Sequence, residues 1–98
     1  MSFAEYQTAD RRLVLLRALA NAAQYRANAL LLRSYADSLG HVVSKDVIES
    51  DLAWLREQGL LGLEEREGVT IALLTARGAD VADGRAAVPG VARPKPGF

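Results

Sequence analysis

The chain has 98 residues, half of them hydrophobic, which is enough for one domain with a single core. It contains no cysteine, so a disulfide framework and a thiolate metal site are excluded, and the chain does not need an oxidising compartment. Its formal net charge is zero, so it lacks the overall basic charge that is typical of nucleic-acid-binding domains.

The first predicted helix starts at a capping box, "SFAE", from Ser2 to Glu5. Its apolar residues recur at spacings of three and four, as on one face of a helix. They are Phe3, Tyr6, Ala9, Leu13, Leu16 and Ala20, with Leu15 and Leu19 forming a second stripe beside them. The large apolar side chains of this helix are Phe3, Tyr6, Leu13, Val14, Leu15, Leu16 and Leu19. This is more apolar surface than a three-helix core of this size is expected to cover, so we expect a homodimer joined through the first helix.

Two further helices are predicted from their caps and stops. Asn28 caps the second helix, which ends at Gly40, and Ser44 caps the third, which ends at Gly59. The predicted buried stripes are Leu31, Leu32, Tyr35 and Leu39 in the second helix and Ile48, Leu52 and Leu55 in the third. The first sixty residues are therefore predicted to form three helices.

The hydrophobic period changes after the third helix. The segments "LLGLEE" and "VTIALLT" are typical of strands, and they flank "REG", whose Gly68 can take the positive φ of a hairpin turn. Thr75 is predicted to cap a last short helix that runs through Ala82. The segment "VPGVARPKPGF" then has three prolines and no periodicity. We predict a mainly α winged helix-turn-helix domain with a small β-hairpin over residues 1–87, and a flexible, Pro-rich basic tail over residues 88–98.

Two segments resemble those of known winged-helix regulators. The run "SKDVIESDLAWLREQGLL", from Ser44 to Leu61, resembles the recognition helix and following strand of ArsR-like regulators, and "LLTARGADVA" resembles their wing-to-helix segment. With "RRLVLLRAL" near its N-terminus, then "GHVVSKD", "DLAWLREQGL" and "VPGVARPKP", nearly the whole chain is similar to small winged-helix proteins of Mu-like phages and prophages. The resemblance implies a winged-helix fold, a phage or prophage origin and the cytoplasm of a bacterial host, but it implies no catalytic chemistry.

The resemblance also implies DNA binding through the exposed side of the third helix. The side chains expected to contact DNA are Lys45, Ser50, Arg56 and Arg66, with Arg93 and Lys95 of the tail on phosphates. Lysine and arginine suit this role because phosphate binding releases counterions and because their side chains pair with guanine. The first functional hypothesis is therefore a homodimeric, phage-encoded DNA-binding protein.

Acidic residues crowd the same region and support a second hypothesis. Asp46, Glu49 and Asp51 lie in the third helix, and the predicted wing tip sets one arginine against three glutamates. Carboxylates repel phosphates, so these residues disfavour groove reading. A protein-interaction module in phage assembly or packaging is the alternative, with a basic protein partner meeting Asp46, Glu49, Glu64 and Glu65. The acidic face of the third helix also fits a merely solvated surface.

Other polar and aromatic residues have simpler roles. Trp54 fits a partly buried core position better than a base-stacking platform. His41, Ser44 and Asp46 are close in sequence, but Ser44 is needed as a helix cap and nothing supplies an oxyanion hole, so we expect no enzyme. One histidine and scattered carboxylates lack the spacing of a metal site, so neither a metal nor a cofactor is expected. No apolar run is long enough to cross a membrane, and no secretory signal is evident.

Overall fold

Four helices and a small antiparallel sheet make up residues 1–96, the part of the chain that the computed structural model describes. The helices are α1 (Phe3–Ala20), α2 (Ala29–Ser38), α3 (Lys45–Glu57) and α4 (Ala76–Asp83). The strands are β1 (Arg26–Asn28), β2 (Leu61–Arg66) and β3 (Val69–Leu74), in the sheet order β1-β3-β2. The architecture is therefore a mixed α/β one, with three helices followed by a hairpin and a fourth helix.

All four helices begin at the caps predicted from the sequence. The side chains of Ser2, Asn28, Ser44 and Thr75 each accept a backbone N–H from the residue three positions further on. The shortest of these bonds runs 2.8 Å from the Leu31 amide to Oδ1 of Asn28. Each cap satisfies one backbone donor that the first turn of a helix leaves without a partner. The starts of the helices are thus determined by the capping residues of the local sequence.

The predicted hairpin is confirmed, but a third strand joins it. Glu67 and Gly68 have φ values of 53° and 79°, which gives the two-residue turn that the glycine indicated. Strand β1 pairs with β3, placing Arg26 opposite Leu73. The small β-hairpin of the sequence analysis is therefore a three-stranded sheet. Three residues are too few to show a strand period, and β1 forms because β3 offers it an unpaired edge.

All four helices, the sheet and the segment after α4 contribute buried residues to one core, and the predicted face of α2 is corrected by it. Leu52 and Leu55 of α3 are fully buried, as predicted. In α2 only Leu32 of the predicted stripe is buried, together with Ala29 and Ala36. The other three predicted core residues, Leu31, Tyr35 and Leu39, are exposed. The small alanines allow α2 to approach its neighbours closely, so its bulky side chains turn outward.

The core of the chain itself buries most of the apolar surface of α1. Uncovered apolar surface on this helix is therefore no longer a reason to expect a dimer joined through it. Five of its seven predicted surplus residues are buried, and only Phe3 and Tyr6 remain exposed, at 76% and 60%. Helix α1 packs against α2, α4 and β3, so the core covers more of its surface than a three-helix core would. The homodimer itself stays a prediction.

The segment after α4 packs onto the domain from residue 88, where the sequence analysis placed a flexible tail. Val88 and Val91 are buried in the main core. The Ala92 amide donates a hydrogen bond of 3.1 Å to the carbonyl oxygen of Ala9. The packed residues therefore include Val88, Val91 and Ala92, and the division into a domain over residues 1–87 and a tail over 88–98 stays a prediction. The three prolines and the lack of a hydrophobic period favoured a loose tail, and no local pattern indicated that the two valines are buried. Residues 97 and 98 lie outside the described part of the chain.

Asp51 is buried and ion-paired, although the sequence analysis grouped it with the exposed acids of the third helix. Its side chain contacts Nε of Arg11, and its other oxygen lies 3.3 Å from Nε of Arg12. The Arg12 guanidinium lies 3.8 Å from the centre of the Trp54 ring and also donates to the carbonyl oxygen of Gly90, at 3.2 Å. We call these five residues the Asp51 cluster. They join α1, α3 and the C-terminal segment, and Trp54 is partly buried in a structural role, as the sequence favoured.

The substitution Asp51→Asn is expected to lower the free energy of unfolding by about 3–5 kcal/mol, because it leaves the buried Arg11 guanidinium without its counter-charge. The exposed Asp46→Asn, on the same helix, is the control and is expected to cost less than about 1 kcal/mol, the usual value of a charge near a helix end. Urea unfolding followed by circular dichroism measures both. Similar losses of unfolding free energy in the two variants would show that the buried ion pairs stabilise the fold no more than an exposed charge does.

Candidate functional site

A groove between α3 and the β2–β3 hairpin is the candidate functional site. Its volume is about 400 Å³. We call it the α3–hairpin groove, and its lining residues are Glu49, Ala53, Arg56, Leu63, Glu64, Glu65 and Thr70. It contains three carboxylates and one guanidinium, together with an apolar or uncharged lining.

Helical and strand periodicity bring these residues together. Glu49, Ala53 and Arg56 follow one another at spacings of four and three, which places them along one flank of α3. Leu63 and Glu65 are two residues apart on β2 and so point to the same face of the sheet. Thr70 is the cross-strand partner of Glu65. The groove therefore has an α3 wall and a hairpin wall.

The three carboxylates of the groove differ in their partners. Glu64 is shared by two arginines, with Nη2 of Arg26 at 3.2 Å and Nη2 of Arg66 at 3.6 Å. Glu49 and Glu65 form no ion pair within residues 1–96. Glu65 is exposed and Glu49 is half-buried. Two carboxylates of the groove are thus available to cations from outside the chain.

The residues predicted for the protein-interaction alternative largely converge in this groove. Glu49, Glu64 and Glu65 all line it. Asp46 lies outside the lining, exposed in the first turn of α3. Whether these acids meet a basic partner stays a prediction.

The six residues predicted to contact DNA are dispersed. Lys45 and Ser50 are exposed on α3, and Arg56 lines the α3–hairpin groove beside the glutamates. Arg66 is exposed on β2 but pairs with Glu64. The remaining two, Arg93 and Lys95, lie on the C-terminal segment and line a cavity against Tyr6 and Asp10 of α1. No single described groove holds the whole set.

A second groove of opposite charge was missed by the sequence analysis. Its volume is about 580 Å³, and it lies between α1, α4, Tyr25 and the C-terminal segment. We call it the basic groove, since its charged lining residues are Arg17, Asp83, Arg85 and Lys95. No sequence pattern could reveal it, because these residues come from three distant parts of the chain and meet only when the C-terminal segment packs.

His41 and Ser44, two polar residues considered from the sequence, have structural partners. Nε2 of His41 lies 2.7 Å from an Asp10 carboxylate oxygen. Ser44 caps α3, as predicted. Within residues 1–96 there is no cluster of three or more histidine or acidic side chains suited to a metal ion. None of the helices described there has the length and apolar character that a membrane crossing needs.

Comparison with known proteins places the chain in a family. It is 47% identical to the uncharacterised protein gp26 of Escherichia phage Mu over 89 residues, which cover 91% of this chain and 92% of gp26. The chain belongs to the family of Mu gp26. It is also 44% identical, over 78 residues, to an uncharacterised protein of Haemophilus influenzae strain Rd, covering 79% of this chain and 76% of that protein. No protein-family model and no solved structure matches the chain.

The gp26 relationship supports the Mu-like phage link that the sequence resemblance implied. It extends over nine-tenths of the chain. The resemblance to ArsR-like regulators receives no support from these comparisons. Because neither relative is characterised, the function has to be argued from the geometry of the chain itself.

Proposed function

We propose that this phage-family protein is a winged-helix protein-interaction module whose α3–hairpin groove binds a basic segment of a partner protein. The observation that carries the proposal is the convergence of Glu49, Glu64 and Glu65 in one groove that contains a single cation, Arg56. The order of three helices and a hairpin, with β1 paired to β3, supports the winged-helix assignment.

The groove suits lysine or arginine side chains of a bound segment. Their ammonium or guanidinium groups would pair with Glu49 and Glu65, which have no ion-pair partner within residues 1–96. Their aliphatic stems would pack on Ala53 and Leu63 in the lining. A phosphate backbone in the same place would meet these carboxylates and lose the counterion-release term that drives its binding.

DNA binding through α3 is the second candidate function. Lys45 and Ser50 are exposed on α3, where a recognition helix of this fold would read bases. Arg56 and Arg66 lie on the flank of α3 and on the hairpin, within the same region. The neighbouring glutamates argue against this candidate, so it ranks below the protein-interaction function.

The protein-interaction proposal predicts weaker binding of a basic peptide when the groove loses its two unpaired carboxylates. Glu49→Gln combined with Glu65→Gln is expected to weaken binding of a fluorescein-labelled Lys/Arg-rich peptide about 10-fold or more, since close charge pairs at an interface couple by about 1.5 kcal/mol or more. Fluorescence anisotropy at low ionic strength measures the affinity. The same titration with a duplex oligonucleotide tests the second candidate.

The matched control is Asp46→Asn combined with Glu57→Gln. It also removes two negative charges, but from exposed positions of α3 outside the groove. We expect it to change peptide binding little. Equal weakening by both pairs would reduce the effect to general charge and contradict the groove. Tight duplex binding that is lost in Lys45→Ala and Arg56→Ala would establish the DNA function in its place.

The predicted homodimer is tested separately by sedimentation velocity. At tens of micromolar, the approximate range in which weak interfaces still register, the account predicts a concentration-dependent shift towards a dimer. Any such dimer has to bury exposed side chains, and these lie on α2 and at the start of α1 rather than on the buried face of α1. A constant monomer sedimentation coefficient across this range would remove the homodimer.

A further inference from the structure

The basic groove brings cationic side chains from three parts of the chain to one surface. Arg17 lies in the last turn of α1, Arg85 follows α4, and Lys95 lies on the C-terminal segment. Among the lining residues within the described range 1–96, Asp83 is the only one with a carboxylate side chain. The groove shares no lining residue with the α3–hairpin groove, so whatever it binds is independent of the proposed protein-interaction function.

Two cations of the groove, Arg85 and Lys95, are weakly held by residues 1–96. The Arg85 side chain is 75% exposed, and its guanidinium reaches Asp80 and Asp83 only at 4.0 Å. Exposed pairs of this kind contribute little and exchange readily for a stronger anionic partner. Lys95 is exposed and forms no ion pair within residues 1–96. Arg93, beside them, donates to the carbonyl oxygen of Gly84 at 3.3 Å. The groove and its rim thus present cationic side chains that an extended anion can bind.

An exposed aromatic side chain lies in the same groove. Tyr25 lines it and is 57% exposed. Gln24 and Tyr25 both have positive φ values, 56° and 58°, which are uncommon for residues with a side chain. Antiparallel pairing of the adjacent strand β1 with β3 fixes the chain immediately after this turn. The ring of Tyr25 is therefore presented beside the cations instead of joining the core.

We propose that the basic groove binds single-stranded nucleic acid. Proteins that bind single strands without sequence preference combine a cationic groove, which follows the phosphates, with aromatic side chains on which bases stack. Arg85 and Lys95 supply the phosphate contacts, and Tyr25 supplies the stacking surface. A base in a duplex is already stacked on its neighbours, so Tyr25 contributes only when the strand is single. The groove therefore prefers a single strand to a duplex of the same length.

The test uses the full chain and a fluorescein-labelled oligothymidylate of about 12 nucleotides, within the usual range of site sizes. Arg85→Gln combined with Lys95→Gln is expected to weaken binding and to lower the slope of log affinity against log salt by about 1.4, about 0.7 for each lost phosphate contact. Tyr25→Leu is expected to weaken oligothymidylate binding about 5-fold or more while leaving the salt slope unchanged, because stacking carries no charge. Fluorescence anisotropy over a salt series measures the affinity and its salt dependence for each variant.

The matched control is Arg77→Gln, which removes an exposed cation of α4 that lies outside the groove lining. It is expected to bind oligothymidylate like the unchanged protein. The proposal is overturned by equal weakening in this control, by absence of oligothymidylate binding at low salt, or by duplex affinity equal to that of the single strand. Competition by inorganic phosphate as effective as competition by unlabelled oligothymidylate would identify a simple anion site and would also overturn it. The Glu49→Gln and Glu65→Gln pair should leave this binding intact, so failure here is distinguishable from failure of the protein-interaction proposal.

Discussion

The buried carboxylate of Asp51 is the constraint on which the arrangement of the chain depends. It is only 3% exposed and lies between the guanidinium groups of Arg11 and Arg12. A buried carboxylate without partners would be strongly unfavourable, so α3 can pack in this orientation only against these arginines of α1. The position of α3, and with it the α3 wall of the groove, follows from this contact.

The same cluster also fixes the C-terminal segment. Arg12 stacks on Trp54 and donates to Gly90, whose φ is 98° and whose added Cβ would lie 2.8 Å from the Trp54 ring. Only glycine fits this conformation and this close approach. Val91 is buried immediately afterwards, and the chain then continues to Lys95 at the basic groove. One ion-paired cluster therefore supports both grooves.

The sequence predicted those features that depend on neighbours along the chain. The caps of the helices, the buried leucines of α3 and the turn at Gly68 each follow from a local rule and are found in the structure. The predicted face of α2 was wrong because a local period cannot tell that Ala29 and Ala36 will face the core. Asp51 was misplaced for the same kind of reason, since its partners are forty residues away in Arg11 and nearly as far in Arg12.

Only part of the candidate site could be anticipated from the sequence. A period of two places Glu64 on the opposite face of β2 from Glu65, so its presence in the lining did not follow from the sequence. Glu65 lies on a readable strand and Glu49 on the best-defined helix, so the placement of these two could be anticipated. The basic groove could not, because it needs the C-terminal segment to pack beside α1 and α4. A net charge of zero therefore conceals two grooves of opposite sign. The two proposals together describe a phage-family adaptor that joins a basic protein segment to a nucleic-acid strand.

The central claim is that these two ligands use different surfaces of one chain, and amide chemical-shift mapping tests it most directly. Uniformly ¹⁵N-labelled protein would be titrated in parallel with a Lys/Arg-rich peptide and with oligothymidylate. The account predicts that the peptide shifts the amides of Ala53, Leu63 and Thr70, whereas the oligonucleotide shifts those of Tyr25, Arg85 and Lys95. Oligonucleotide-induced shifts concentrated on Lys45, Ser50 and Arg56 would contradict it and would return α3 to the role of a DNA-reading helix.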